Sequence, residues 1–436
     1  MISHHSMRSI ARLRGALGAA ILLLGWTGGT VAANAQQAAP PSRIDLDQAI
    51  QLAIKHNHAL KAEENTIQQS EADEITAAIR PNPVFTYDDL YIPIFSPGQL
   101  NTSTLDNITE FDLGFSYTFE RGHKRQARIN AAKDATAVTR SQVKDNERTL
   151  IFDVAQQFVN VLLAKADLGF ANQDLASFQQ TVDLSSSQYK AGAISEADLL
   201  KIKLQMLQFQ TDVSSAKLAL LQSLLGLRQQ LGFESVPPDY DVIGELDYVP
   251  LHGNQEDLQA LALKQRPDLL AAQQGVTASQ SQYQLAKANR ARSVTTTFDY
   301  THVSALNAAG FTVNMEIPIY DRNQGEIART HYAITQADEL QSAATETVMT
   351  GVANAFQAMK VNEQIVQLYT SGYLKQAQDS RDISEYAYKR GAASLLDFLD
   401  AERSYRATQL AYRQALATYL LSVEQLREAV GTRNLP

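Results

Sequence analysis

Two aspartates three residues apart, Asp397 and Asp400, are the residues whose type and spacing best suit a charged functional site. Residues three apart on a helix lie on one face, so the two carboxylates would project together. When several copies line a narrow opening, such carboxylates form rings that favour cations and can bind multivalent ones. Aspartate pairs near a helix start are also common on solvated faces, where the helix dipole favours them. The spacing alone leaves both interpretations open.

The other reactive residue types exclude several classes of site. The sequence contains no cysteine, which excludes disulfides, thiolate metal sites, cysteine nucleophiles and a lipid anchor on an N-terminal cysteine. None of the 8 histidines stands four residues from another, as a zincin-type helix requires. The sequence also has no Gly-rich phosphate loop, G-x-S-x-G elbow or H-E-x-x-H motif. We therefore expect no enzymatic activity, no cofactor and no metal-ligand cluster.

The N-terminus has the pattern of an export signal. A basic region with three arginines precedes a short apolar stretch, 15–26, and Ala33-Asn34-Ala35 supplies an A-x-A cleavage site. The apolar stretch is too short for the ~20 residues of a spanning helix. We therefore predict a signal peptide, 1–35, that is cleaved after Ala35.

The overall charge bears on the class of partner. The formal net charge is −9, and removal of the signal peptide with its three arginines would lower it to −12. An acidic chain has no general electrostatic attraction to nucleic acid. We therefore do not expect a nucleic-acid partner.

An internal duplication is the most informative feature of the sequence. The string YKAGA at 189–193 recurs as YKRGA at 388–392, an offset of 199 residues. Val154 and Phe158 recur as Val352 and Phe356, at an offset of 198. Nearly constant offsets over many separated positions indicate two copies of one structural unit. The units and the segments between them are predicted as a first repeat 36–237, a linker 238–254, a second repeat 255–431 and a tail 432–436.

The positions of the 12 prolines predict long helices. The proline-free segments are 124–190, 195–231, 324–389 and 394–431. They carry apolar residues at helical spacing, such as Leu150, Val154 and Phe158. A helix over 124–190 would be ~100 Å long at about 1.5 Å per residue. Helices of this length need neighbours along their whole length, as in a coiled coil or a helical tube. Gly192 and Gly391 then stand at the tips of two antiparallel hairpins, where glycine can adopt the left-handed conformation.

Between the short opening helices and the long helices, the apolar period changes to two. The strands are predicted at about 84–91, 110–120, 294–303 and 310–320. The second is the clearest, because Phe111, Leu113, Phe115, Tyr117 and Phe119 alternate with polar residues or glycine. Strands of about this length, with one apolar and one polar face, are typical of a transmembrane barrel. A soluble hairpin packed on the helices is the alternative, because alternation marks any half-buried sheet.

Four strands per chain cannot close a spanning barrel, since known barrels start at about eight. Open strand edges are not stable in hydrocarbon, so the chain must associate with other copies if it enters a membrane. The predicted fold class is therefore mainly α with a small β part.

The order of these features resembles the TolC family of outer-membrane efflux proteins. Short helices, a hairpin, a long helix, a glycine tip and a return helix follow one another twice. Local strings agree with the family, including RPNP at 80–83, RPDL at 266–269 and IPIYDR at 317–322. The resemblance covers about 44–431.

This resemblance implies a homotrimer. Three chains would form a twelve-stranded β-barrel in outer-membrane lipid and a periplasmic α-helical tube. The duct would meet a periplasmic adaptor (membrane fusion protein) and an inner-membrane pump of the RND class, which supplies the energy.

The resemblance also assigns candidate site residues. The string LDFLD at 396–400 matches the family's periplasmic gate, so Asp397 and Asp400 are the expected carboxylate rings. Asp198 matches a position that helps tie the closed tips together, and Tyr388 matches its usual tyrosine partner. The arginine expected two residues after the second tip glycine is Ala393 here, with Lys389 and Arg390 as nearby substitutes. The expected adaptor-docking tips are Gly192, Ala193, Gly391 and Ala392.

The strings FERGHKR at 119–125 and YDRNQG at 320–325 look nearer to the cobalt–zinc–cadmium branch of the family. The resemblance therefore implies heavy-metal cations as the exported substrate. Multidrug or organic-solvent efflux and type I secretion are the alternatives. A purely structural periplasmic coiled-coil protein is a further one, which explains the helices but not the aromatic-faced strands.

Overall fold

The structure is mainly helical and carries one four-stranded sheet. The computed structural model describes residues 42–92, 94–99, 101–103, 109–304 and 306–435, and all of these belong to one compact unit, Pro40–Pro436. The predicted signal peptide, 1–35, and its cleavage site lie outside the described residues. Among the helices that are described, none has an apolar stretch long enough to cross a membrane.

The same order of elements occurs in each half of the chain. The first half contains β1 (Arg43–Ile44), α1 (Leu46–His56), α2 (His58–Ala78), β2 (Val84–Leu90), β3 (Glu110–Phe119), α3 (Lys124–Lys190) and α4 (Glu196–Leu231). The second half contains β4 (Asp241–Val242), α5 (Gln255–Gln265), α6 (Pro267–Asn289), β5 (Val294–Val303), β6 (Leu306–Met315), α7 (Gln324–Leu368), α8 (Leu374–Lys389) and α9 (Leu395–Val430). The two-residue strands β1 and β4 pair in parallel.

Two hydrophobic cores hold the short helices against the long ones. In the first core, Val154, Phe158 and Val161 of α3 are buried against α1 and the end of α4. In the second core, Val352 and Met359 of α7 are buried against α5 and α9. Full burial of each such side chain contributes about 1.5–3 kcal/mol. The apolar stripes of the long helices are therefore anchored at these two levels.

Asn57 shows how a single residue connects a helix start to this packing. Its side-chain oxygen accepts a hydrogen bond from the Leu60 backbone amide at 3.0 Å and so caps α2. Its side-chain amide donates to the Gln230 carbonyl at 2.9 Å, at the end of α4. The first turn of α2 is therefore held against the last turn of the returning long helix.

The four-stranded sheet is antiparallel, with the strand order β2-β3-β5-β6. The register places four phenylalanines side by side, one on each strand: Phe85, Phe115, Phe298 and Phe311. All four lie on one face and are exposed, by 67%, 55%, 54% and 69%. The sheet thus presents an apolar aromatic face that the described residues do not cover.

The last strand differs from its predicted range of 310–320. β6 spans Leu306–Met315, and Val303 pairs directly with Leu306, so pairing begins after a two-residue connection. The prediction was wrong because the apolar alternation continues past the end of the ladder, to Ile317 and Ile319. Pro318 has no amide hydrogen to donate to a neighbouring strand, so this segment does not extend the sheet.

The helix predicted over 324–389 is also interrupted, at Tyr369–Tyr373, where the backbone forms one π-helical turn. Gly372 has φ +139° and ψ −18°, which no neighbouring helical residue shares. The hydroxyls of Thr370 and Ser371 donate to the carbonyls of Val366 and Leu368, at 3.2 and 2.7 Å. The prediction missed this turn because it contains no proline, and absence of proline was the criterion for continuity.

Candidate functional site at the helical tips

The two long hairpins turn through nearly identical glycine tips. Gly192 and Gly391 have φ values of +73° and +75°, in the left-handed region that favours glycine. The following amides close both turns, because Ala193 donates to the Gln188 carbonyl and Ala392 to the Ala387 carbonyl, each at 2.8 Å. The glycines and Ala193 and Ala392 are exposed. All four predicted tip residues therefore lie on accessible turns.

The returning helices begin with matched serine caps. The Asp198 amide donates to the Ser195 hydroxyl at 3.1 Å, and the Asp397 amide donates to the Ser394 hydroxyl at 3.2 Å. Each serine hydroxyl donates in turn to the carboxylate of the same aspartate, at 2.8 and 2.7 Å. Asp198 and Asp397 therefore have a structural role as partners in helix capping.

Asp397 and Asp400 lie on the exposed side of α9, whereas Phe398 between them is buried. Asp400 has one weak partner, with its carboxylate 3.7 Å from the Arg403 guanidinium, and both side chains are well exposed. A pair so exposed contributes little to stability. The two carboxylates are therefore accessible to a cation approaching the tip.

Tyr388 lies in an aromatic stack that joins the two hairpins. Its ring stacks on that of Phe398, with the ring centroids 5.4 Å apart. Phe398 in turn stacks on Phe178 and Phe178 on Phe209, with centroid separations of 6.4 and 4.5 Å. Tyr388 is 7% exposed, and its buried hydroxyl has no hydrogen-bond partner among the described residues. The expected pairing of Tyr388 with Asp198 is therefore not formed within one chain.

The two candidates for the missing arginine at Ala393 are held on their own helix. Lys389 pairs with Glu385 at 2.6 Å. The Arg390 guanidinium lies over the Tyr386 ring, 5.1 Å from its centroid. Neither side chain forms an ion pair with Asp198, which lies 3.6 Å from Lys201 instead.

Arg406, which the sequence analysis did not single out, ties three helices together above the tips. From α9 it donates to Asp174 of α3 at 2.7 Å and to Asp212 of α4 at 2.5 Å. Its guanidinium also lies 4.2 Å from the centroid of the Phe209 ring. Burial raises the pKa of Asp174 despite this bond. One cation thus neutralises carboxylates from both helices of the first hairpin.

Glu402 lies one turn nearer the tip on the same helix. It is 7% exposed and accepts no hydrogen bond from any described residue. Burial, together with the nearby charge of Asp174, raises the pKa of Glu402 to about 7. Within the described part of the chain, no group of three or more histidine, aspartate or glutamate side chains could hold a metal ion directly.

Two cavities flank this region. One, of about 740 Å³, lies between the two tips and is lined by Asp198, Tyr388 and Arg390. The other, of about 550 Å³, lies between α3, α4 and α9 and includes Asp167 and Glu402 in its wall. The tips therefore have exposed carboxylates and a groove between them, and a cavity with charged residues in its wall lies next to them.

Comparison with known proteins agrees with this architecture. The cobalt-zinc-cadmium resistance protein CzcC of Cupriavidus metallidurans is 23% identical over 382 residues, which cover 86% of this chain and 87% of CzcC. The pyoverdine export outer membrane protein OpmQ of Pseudomonas putida is 24% identical, covering 93% of this chain and 91% of OpmQ. A crystal structure of CusC superposes with a TM-score of 0.72 at 20% identity, covering 89% of this chain and 92% of CusC.

The family profile described as "Outer membrane efflux protein" matches residues 49–233 and 258–432. These two segments include both long hairpins, all four strands of the sheet and every candidate site residue at the tips. The chain therefore belongs to the outer membrane efflux protein family, the family of TolC.

Proposed function

We propose that three copies of this chain form a duct through the outer membrane, with a twelve-stranded β-barrel continued by an α-helical tube. The observation that carries this proposal is the exposed row of phenylalanines across all four strands. The middle of the opposite face is polar or small, as in the row Thr86, Gly114, Asp299 and Gly310, and in the next row Val84 is followed by Ser116, Thr297 and Thr312. An apolar outer face and a polar inner face are the pattern of a barrel in lipid.

The free edges of the sheet support association. β2 and β6 each pair with one strand only, so both edges of the sheet lack a partner among the described residues. Unpaired backbone groups are costly in hydrocarbon. Three copies placed edge to edge would give twelve strands and satisfy every edge.

The duplication is part of the same proposal. We assign the first repeat to 36–237 and the second to 255–431, separated by the linker 238–254. The match of the family profile in two segments and the same element order in both halves support this assignment. Export to the outer membrane fits a signal peptide over 1–35.

The proposed gate lies at the periplasmic end of the tube. In a trimer, Asp397 and Asp400 would form two stacked rings of three carboxylates, which favour cations. Their exposure on α9 supports this role. Asp198 and Tyr388 line the groove between the tips and would take part in closure. The Tyr388 hydroxyl is buried and has no hydrogen-bond partner among the described residues, so the side chain would have to move to bond to a neighbouring subunit.

The tips are the proposed docking points for a periplasmic adaptor, which links the duct to an RND pump in the inner membrane. Gly192, Ala193, Gly391 and Ala392 are exposed, and nothing lies within 4 Å of a Cβ placed on either glycine. The two glycines, which have no side chain, therefore leave room for another backbone to approach both tips closely.

The proposed cargo is heavy-metal cations. The similarity to a cobalt-zinc-cadmium resistance protein over 86% of the chain supports this choice, and so do the exposed carboxylates at the tip. The second candidate is export of organic compounds, which is favoured by similarity to a pyoverdine export protein over 93% of the chain. The duct itself would do no chemistry in either case.

The cargo is tested by deleting the gene and measuring growth on graded zinc, cobalt and cadmium, and separately on dyes, detergents and antibiotics. Selective metal sensitivity that the wild-type gene reverses is the expected result. Sensitivity to organic compounds alone would contradict the metal assignment and favour the second candidate.

The barrel is tested by a matched pair of substitutions on adjacent residues of β5. Phe298→Asp places a charge on the apolar face, where it costs up to a few kcal/mol in lipid. Thr297→Asp places the same charge on the polar face. We expect only Phe298→Asp to reduce the amount of protein in the detergent-extracted outer membrane. Release of the wild-type chain with the soluble periplasm would instead indicate a structural coiled-coil protein.

A further inference from the structure

The lysines and arginines near the four-stranded sheet all lie at one end of it. The strands and their two connections, 84–119 and 294–315, contain six acidic residues and no lysine or arginine. The ten residues that join each strand to its helix contain nine lysines and arginines and four acidic residues in total, over 74–83, 120–129, 284–293 and 316–325. The sheet therefore has a basic end beside the helices, although the whole chain has a net charge of −9.

Most cations at this basic end have no acidic partner. Arg128 pairs with Glu120, and Arg292 pairs with both Glu316 and Asp321, at 3.3 and 2.9 Å. The other seven cations form no ion pair with a described residue, and neither does the fourth acidic residue. The basic end thus keeps an excess of five positive charges after all of its acidic residues are counted.

Each strand has one unpaired arginine close to its helix-side end. Arg80 precedes β2, Arg121 follows β3, Arg290 precedes β5 and Arg322 follows β6. We call these four residues the arginine band. All four are exposed, and the side chains of Arg80, Arg290 and Arg322 form no hydrogen bond with a described residue. Because the strands pair in register at this end, the band follows the edge of the sheet.

The band borders the apolar face of the sheet. Phe119, Val294 and Met315 pair side by side in the last row, and each lies four residues along its strand from an exposed phenylalanine. An even separation places residues on the same face of a strand. Nη1 of Arg121 lies 3.2 Å from the Met315 sulfur, at the point where the apolar face ends. Tyr320, beyond the end of β6, is 90% exposed at the same border.

Arginine at the end of an apolar face suits the boundary between lipid and water. Its aliphatic stem can lie along apolar surface while the guanidinium stays at the polar level. The guanidinium also binds a phosphate through two parallel hydrogen bonds. Lys124 and Arg125 add positive charge in the first turn of α3, where the helix dipole disfavours cations. An anion bound beside them would offset this repulsion.

We propose that the arginine band binds the phosphate groups of phospholipids, in the leaflet of the outer membrane that faces the periplasm. The inference rests on the proposed function, because that function places the apolar face of the sheet in lipid. The band lies at the end of the sheet that joins the long helices, which is the periplasmic end of the proposed barrel. Clusters of cations at a membrane surface favour anionic headgroups over zwitterionic ones.

The test measures the lipid that the full-length chain retains. The chain is purified in detergent, incubated with lipid and passed through gel filtration, and the phospholipid extracted from it is quantified by mass spectrometry. The probes are phosphatidylglycerol and phosphatidylcholine with the same acyl chains, at the same ionic strength. We expect roughly tenfold more phosphatidylglycerol to be retained. Excess inorganic phosphate should not displace it, because free phosphate has no acyl chains to lie on the apolar face.

One combined variant removes the whole band: Arg80→Gln, Arg121→Gln, Arg290→Gln and Arg322→Gln. We expect it to retain phosphatidylglycerol only at the level of phosphatidylcholine. The control combines four exposed lysines of the helices and changes the net charge equally: Lys61→Gln, Lys203→Gln, Lys217→Gln and Lys375→Gln. The control should retain phosphatidylglycerol as the wild type does.

A second combined variant keeps the charge of the band: Arg80→Lys, Arg121→Lys, Arg290→Lys and Arg322→Lys. It should retain more phosphatidylglycerol than the glutamine variant and less than the wild type, because lysine cannot form two parallel hydrogen bonds to one phosphate. The comparison of the two lipids on the wild-type chain does not depend on the folding of any variant.

Equal retention of the two lipids by the wild type would overturn the proposal. Equal retention of phosphatidylglycerol by the glutamine variant and the lysine control would also overturn it. Displacement by inorganic phosphate would identify free phosphate as the ligand and exclude the lipid. Fractionation of the wild-type chain tests the barrel separately. A chain that stays in the outer membrane and retains both lipids equally would overturn this inference alone, whereas release with the soluble periplasm would contradict the barrel as well.

Discussion

Deletion of Gly372 tests whether the π-helical turn in the second hairpin accommodates one extra residue. Val154 of the first hairpin matches Val352 of the second at an offset of 198 residues, whereas Tyr189 matches Tyr388 at an offset of 199. The second hairpin is therefore one residue longer over this stretch. A single extra residue within a helix is commonly absorbed as a π-bulge. The π turn at Tyr369–Tyr373 lies within the stretch.

Removing Gly372 should convert α7 and α8 into one continuous α-helix and leave Tyr388 stacked on Phe398. Loss of a helix-interior glycine contributes about 0.5–1 kcal/mol of stability. The matched control is deletion of Gln173 in α3, which has no bulge to absorb the change. There the deletion rotates the remainder of α3 by about 100° and shifts it by about 1.5 Å.

That rotation would remove Phe178, 3% exposed, from the aromatic stack, and would separate Asp174 from Arg406. Loss of a buried phenylalanine alone costs about 3–5 kcal/mol. The two deletions should therefore differ by about 4 kcal/mol. In a chain of this size the difference corresponds to a shift in melting temperature of about 5 °C.

The assay is thermal unfolding of the purified full-length variants, followed by circular dichroism at 222 nm in the same detergent. We expect the Gly372 deletion to melt at or above the wild-type temperature and the Gln173 deletion to melt well below it. If both deletions lower the melting temperature equally, the π turn does not accommodate an inserted residue and the reasoning is wrong. Gly372→Ala is a further check, because φ +139° strains any L-residue and should lower stability by about 1–3 kcal/mol.

Four further changes test the tips and the cavity between α3, α4 and α9. Asp397→Ala with Asp400→Ala should raise single-channel conductance at low voltage in planar bilayers and weaken block by multivalent cations; unchanged conductance would remove the pair from the gate. Gly391→Trp should abolish efflux while trimers remain in the membrane, and loss of the trimer itself would indicate a folding defect instead. Arg406→Met should lower stability by about 3–5 kcal/mol, because it leaves two carboxylates without their cation, one of them deeply buried; an unchanged melting temperature would contradict this. The folded-state pKa of Glu402, about 7, lies above the ordinary value of 4.5, so its contribution to stability is present below about pH 4.5 and is lost as the pH rises through 7. The variant Glu402→Gln cannot ionise, so it should lack about 3 kcal/mol of the stability that the wild type loses as the pH rises, and equal pH profiles of stability for wild type and variant would disprove this.

The periodicities of the sequence were informative because each reports a local geometry. Alternation at 111–119 indicated a strand with one apolar face, and β3 presents that face to the outside. The absence of proline indicated long helices, and α3 spans the whole of 124–190. The spacing of Asp397 and Asp400 placed both on one helix face, and both are exposed on α9. The change of offset from 198 to 199 was also visible and would have indicated the π turn.

Contacts between distant parts of the chain could be found only in the tertiary structure. Arg406 bonds to Asp174, 232 residues earlier in the chain, and Phe398 stacks on Phe178. Periodicity shows which face of a helix is apolar, but it does not show which neighbour that face meets or at what height. Those depend on how the long helices pack and wind around one another. The sequence thus determined the elements and their exposed faces, whereas packing of the two hairpins decided which carboxylates are neutralised and which remain free.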